Sequence, residues 1–301
     1  MLKNLNTESS NPSRVVVLGG NGFIGNAIST NFEQSGIPAE SMGRPNFDLL
    51  TPQADQKLAS FLRPDDTLVF VSAKAPCRNA AGLIENLQMA KTVIAALKQQ
   101  KISHLIYISS DAVYRDSDEP ISEYSCAEPG SIHGAMHLVR EIALKSELDL
   151  PLAIIRPTLV YGLKDPHNCY GPNSFRRAAL KNEDITLFGE GEELRDHVFV
   201  DDIAQLVYLV ACHKSIGIAN AVSGQVVSFR QLAEFISGQN KSSGDVKATI
   251  RSGKMPHNGY REFKTSIASE LFSGFVFRSW SEGLSDVYES QSLEQAGQID
   301  D

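Results

Sequence analysis

Little in this chain points to a membrane, a nucleic acid or an oxidising compartment. Its four cysteines, Cys77, Cys126, Cys169 and Cys212, are widely spaced and form no Cys-x-x-Cys pair. Each reads as a small buried hydrophobe in a reduced, cytoplasmic protein. The longest apolar runs, such as residues 67–71, are strand-sized and far short of the ~20 residues of a membrane span. The net charge of -8 argues against a nucleic-acid or anionic-membrane surface, because phosphate binding needs clustered Lys and Arg. Residues 1–13 are polar and lack the charged-then-apolar layout of a signal peptide; they read as a frayed extension. There is no internal repeat and no low-complexity tract.

What is present is ordinary globular material. The chain has 301 residues, 42% hydrophobic and 21% charged, enough for one large domain or two smaller ones. The first half alternates short β-branched runs with helical patterns. Strands are expected over 14–18, 67–72, 104–109 and 152–155, with helices over 26–35, 83–99 and 133–147. Fully apolar strands alternating with helices imply a parallel sheet covered on both faces, and right-handed crossovers make it doubly wound. The second half is less regular. Residues 162–173 are rich in Pro, Gly and Asn. Helical patterns follow over 175–180, over 201–212 with acids in the first turn, and over 228–236. Residues 289–301 are polar and read as a disordered tail.

The most specific local signal lies between the first strand and helix. Val15-Val16-Val17-Leu18 runs into Gly19-Gly20-Asn21-Gly22-Phe23-Ile24-Gly25. The glycines at 19, 22 and 25 allow a tight turn, backbone approach to a pyrophosphate, and close helix–strand packing. The helix N-terminus then offers free N–H groups to phosphates. This spacing, with Phe-Ile before the last glycine, resembles the extended short-chain dehydrogenase/reductases, the NAD(P)-dependent epimerase/dehydratase family. The resemblance spans about residues 14–285. It implies a Rossmann-type α/β fold with a smaller C-terminal substrate lobe: 12–163 with 197–225 for the cofactor, 164–196 with 226–288 for a nucleotide-sugar. It also implies that Asn21, Phe23, Ile24, Asp48, Leu49, Ser72, Ala73 and Asn86 border the cofactor. Family relatives commonly pair through helices that include the one near residue 133, which implies a homodimer. For NAD against NADP, no acid ends the second strand, where the chain reads Ser41-Met42-Gly43-Arg44. Arg44 suits a 2′-phosphate, which leans the expectation slightly to NADP.

The catalytic positions depart from the family. Ser109-Ser110-Asp111-Ala112-Val113-Tyr114 resembles its Ser/Thr motif, with Ser110 as the hydroxyl for the reacting oxygen and Asp111 beside the substrate. The family's Tyr-x-x-x-Lys, aligned on Pro129 and Gly134, is here His133-Gly134-Ala135-Met136-His137. Tyr starts near pKa ~10 and needs a nearby cation, whereas His starts near ~6.5 and does not. His133 is therefore the candidate acid/base, and His137, one turn on, the candidate ribose contact. Two other readings stay open: a silent nucleotide-binding homologue, and a metal site at the His-x-x-x-His pair. No third ligand is evident, so no metal is expected.

Residues 154–162 resemble the family's RPxxVYG strand end, with Leu159 where many epimerases keep Asn. That apolar residue is more like the 4-keto-sugar reductases. Asn173 is a further substrate candidate. Residues 195–202, Arg-Asp-His-Val-Phe-Val-Asp-Asp, resemble the family's RDxxxVxD segment, in which Arg195 would bind the diphosphate; Arg251 is a second candidate. The resemblance thus implies hydride transfer at a sugar carbon by an epimerase, dehydratase or ketoreductase.

Overall fold

The computed structural model describes residues 1–166, 168–239 and 244–297. Its first part runs β1 (Val15–Leu18), α1 (Phe23–Gln34), β2 (Ala39–Met42), α2 (Ala54–Phe61), β3 (Thr67–Phe70), α3 (Ala80–Gln99), β4 (His104–Ile108), α4 (Ile132–Glu147), β5 (Leu152–Pro157) and β6 (Leu159–Tyr161). There follow α5 (Pro172–Leu180), β7 (Ile185–Phe188), β8 (Leu194–Phe199), α6 (Val200–Cys212), β9 (Gly217–Ala221), β10 (Val226–Ser228), α7 (Phe229–Gln239), β11 (Val246–Thr249), β12 (Tyr260–Arg261), α8 (Ile267–Leu271) and α9 (Trp280–Gly297). No described helix is long and apolar enough to cross a membrane.

Six strands form one parallel sheet in the order β2-β1-β3-β4-β5-β9. Their uninterrupted apolar sequences are explained by burial on both faces. Along β1, Val15 and Val17 face Ile28, Phe32, Val207 and Val210 of α1 and α6. Val16 and Leu18 face Leu58, Val93 and Leu97 of α2 and α3. The period-two alternation of side chains across a strand produces this division. Strand order reverses between β1 and β3, so their carboxyl ends leave a crevice, the usual ligand position in such sheets. A smaller sheet, β10-β8-β12 with β6 on β8, and the pair β11-β7 build the remaining lobe. Its core gathers Phe175, Leu187, Phe229, Leu232 and Ile236.

Both tails differ from expectation. The N-terminal residues are docked, not frayed: Leu2 is buried, and Lys3 and Ile216 exchange backbone hydrogen bonds of 2.9 and 2.8 Å. Asn6 N–H donates to His213 O and Ser10 N–H to Cys212 O. These carbonyls stand at the end of α6, where the last turn of a helix lacks internal partners. Backbone donors do this work, so the polar side chains of the segment disguise it. At the other end, residues 289–297 continue α9 rather than forming a disordered tail, and 298–301 lie outside the described residues. Leu284 and Val287 bury one face of the helix, and Arg176 donates to Gln291 Oε1 at 2.7 Å. The cysteines also divide: Cys77 and Cys212 are buried, but Cys126 and Cys169 are exposed; all four are free.

Candidate functional site

A cleft of about 590 Å³ opens at the switch point between β1 and β3. The glycine turn forms its floor. Gly19 has φ +91°, and a Cβ there would meet Ser72 N at 2.9 Å, so the turn and the end of β3 are in backbone contact. A Cβ on Gly25 would lie 2.1 Å from Gly19 O, which is why α1 packs this closely on the turn. Gly22 is the N-cap of α1, and no side chain caps the helix. The first amides are left to whatever occupies the cleft, an arrangement suited to phosphate.

Around that floor stand Asn21, Phe23, Ile24, Arg44, Asp48, Leu49, Ser72 and Ala73. Asn21 donates to Arg44 O at 2.9 Å, tying the turn to the segment after β2. Asp48 Oδ1 accepts from Leu50 N–H at 2.9 Å. Asn86 is different. It is fully buried behind the wall, where Oδ1 accepts from Lys74 N–H and Nδ2 donates to Lys74 O and Gly82 O. It holds the Ser72–Lys74 segment in place and does not line the cleft.

His133 enters the same cavity from the start of α4. Ser131 caps that helix by accepting from Gly134 N–H at 3.1 Å. A Cβ on Gly134 would fall 1.9 Å from Ala112 O, so the first turn of α4 is pressed onto the Ser110–Val113 turn. His133 Nδ1 accepts from Cys77 N–H at 3.3 Å. The His137 ring meets His133 edge to face at 4.9 Å, and its Nδ1 is 2.8 Å from the Tyr107 hydroxyl. Burial lowers the His133 pKa, with the Asp111 charge opposing. Burial lowers that of His137 much further, helped by His133 and Arg140. Both rings are therefore neutral near pH 7. Among the described residues no group of three His, Cys, Asp or Glu side chains is placed to hold a metal.

The remaining expected residues are more committed than their sequence positions suggest. Ser110 is half-buried and accepts from Ala112 N–H at 3.1 Å. The Asp111 carboxylate receives Arg261 Nε–H at 2.9 Å, so it belongs to an ion pair with the last third of the chain. Asn173 lines the cleft, donates to Asp165 at 2.7 Å and accepts from Gly162 N–H. Arg195 and Arg251 both approach Glu193, at 3.1 and 3.7 Å, and neither lines this cleft. Sequence reasoning missed Tyr107, Arg140 and His197. His197 lines the cleft, and burial brings its pKa down to about 3. A helical reading could have found Arg140, which follows His133 by seven residues and His137 by three and so shares their face.

The family model described as NAD dependent epimerase/dehydratase family matches residues 15–222. An uncharacterized UDP-glucose epimerase of Bacillus subtilis is 24% identical over 197 residues, 60% of this chain and 62% of that one. The match thus spans less than two thirds of that relative. GDP-L-fucose synthase 1 of Arabidopsis thaliana is 25% identical over 257 residues, covering 76% and 78% of the two chains. Among solved structures, the UDP-glucose 4-epimerase of Thermotoga maritima with UDP-glucose superposes with a TM-score of 0.79 at 21% identity, over 93% of this chain and 99% of the other.

Proposed function

The chain belongs to the NAD dependent epimerase/dehydratase family, and on that premise we propose that it acts on a nucleotide-sugar by nicotinamide-dependent hydride transfer. One observation carries the reading: a single cavity joins the uncapped glycine turn to His133 and Asn173. The turn fits the cofactor, because its floor is backbone that a Cβ would fill. When bound, the nicotinamide supplies the two-electron acceptor or donor. Ser110 orients the reacting oxygen. His133 is half-buried at the cleft wall; as a sugar carbon is oxidised its Nδ1 gives up the long 3.3 Å hydrogen bond from Cys77 N–H to take the hydroxyl proton, and returns that proton on reduction. His137 positions the ribose from behind His133, and Arg195 and Arg251, drawn together by Glu193 outside the cleft lining, receive a diphosphate that extends beyond it.

Two finer assignments belong to the same reading. The cofactor is NADP in preference to NAD, since β2 ends in Met42-Gly43 without a carboxylate and exposed Arg44 follows on the cleft rim. The protein is a cytoplasmic homodimer paired through α3 and α4, whose surfaces expose Ile84, Val139 and Ile142. Leu159 lines the cleft and favours the ketoreductase branch.

A second reading, a nucleotide-binding homologue without turnover, is favoured by the neutrality of His137 where the family carries a cation. Titrating the purified protein with NAD and NADP, then following cofactor absorbance with a panel of UDP-, dTDP- and GDP-sugars, separates the two. Binding with turnover supports the enzyme. Binding without turnover across the panel leaves only the second reading, and no binding of either nucleotide removes both.

A further inference from the structure

Near the carboxyl end of β4 and wholly out of solvent, Tyr107 is the direct neighbour of His137: its hydroxyl is 2.8 Å from Nδ1. Arg140 is equally buried. Its guanidinium lies 4.2 Å over the Phe70 ring and 5.1 Å over that of Tyr107, and donates to Ser72 O at 2.8 Å. Among the described residues it has no carboxylate partner, and its Nε has no hydrogen bond. A buried cation held by rings and a carbonyl, without a carboxylate to neutralise it, is costly, so its placement against this tyrosine–histidine pair calls for a role.

We infer that Tyr107 and Arg140 are positioning residues that hold His137 as a neutral imidazole protonated on Nε2. A guanidinium has no lone pair and cannot accept the Tyr107 proton. The acceptor within reach is His137 Nδ1. Burial pushes the Tyr107 hydroxyl up to about 12, so the proton stays on the oxygen. With Nδ1 accepting, a neutral ring carries its hydrogen on Nε2. The alternative, an imidazolium, would need a proton on Nδ1 facing that O–H, beside the charge of Arg140. Where the family carries a lysine cation, this chain therefore offers an N–H donor without charge, and the permanent charge moves one turn along α4, to Arg140. The donor's target, a ribose hydroxyl, rests on the proposed function; the tautomer does not.

Ring-¹⁵N-histidine NMR of the full chain at neutral pH tests this, with His137→Gln identifying the signal. The expected spectrum is the Nε2–H tautomer, converted in Tyr107→Phe to the Nδ1–H form or to exchange between the two. An Nδ1–H or doubly protonated His137 in the unmodified protein overturns the inference, and so does an unchanged tautomer in Tyr107→Phe. If Tyr107→Phe does not fold, the unmodified spectrum decides. With an active substrate, Tyr107→Phe should lower kcat about tenfold with KM unchanged, on the scale of one hydrogen bond. Failure of all nucleotide-sugars to turn over would overturn the proposed reaction and leave the spectra as the judge of the tautomer.

Discussion

The two ends of the cleft are built from different material. At the glycine-turn end the groups that face the cleft are backbone amides, placed by glycines whose Cβ positions are filled by Ser72 N and Gly19 O. At the other end the wall is a side chain, His133, backed by the buried His137, and the properties of both depend on neighbours from the segment after β3, from β4, from the 110–113 turn and from α4 itself. A backbone site is insensitive to pH and intolerant of any added atom. The side-chain site is sensitive to charge and burial, as the lowered pKa values of His133 and His137 illustrate.

The contrast can be broken most severely at Gly25. Gly25→Val would force atoms into Gly19 O, and fluorescence titration should show cofactor affinity lost by a hundredfold or more, on the order of 3 kcal/mol of overpacking. Retained affinity would show that the turn is not the phosphate cradle. His133→Phe should do the reverse, lowering kcat by roughly 10²–10⁴ while leaving the cofactor dissociation constant within about twofold; an unchanged rate removes His133 from the chemistry.

Asn86→Ala sharpens the boundary between the ends, because it loosens the Ser72–Lys74 wall without touching either. Leaving Lys74 N–H and C=O unpaired should cost about 2–3 kcal/mol in denaturant unfolding. A smaller effect comes from Arg44→Gln, which should reduce any preference for NADP over NAD by about tenfold, with NAD affinity nearly unchanged.

The last difference is in acid response. His104 and His197 have folded pKa values lowered by burial to about 4 and about 3, and that of His137 is lowered too. Above the unfolded value near ~6.5 neither state binds the proton and these groups are silent. As pH falls from there toward 4 and 3, the unfolded chain protonates first and stability is lost. Asp202, raised by burial to about 6, opposes this below pH 6. Thermal melts should fall across that window, and less steeply in His197→Gln; an equal slope would remove His197 from the account.

By itself the sequence determined the parallel sheet, the glycine turn and the positions of α1, α3, α4 and α6. These depend on periodicity and on residues adjacent in the chain, which local patterns encode directly. It also placed His133 and His137 four residues apart, on one face of a helix. Only the tertiary structure decided what those histidines are. The Tyr107 hydroxyl and the Cys77 amide reach them from thirty and fifty-six residues away. Asp111 is claimed by Arg261 from 150 residues away. The polar N-terminal segment became part of the fold because its backbone N–H groups meet the open end of α6. Hydrogen bonding and desolvation are properties of surroundings, and a linear pattern carries no record of which distant groups will supply them.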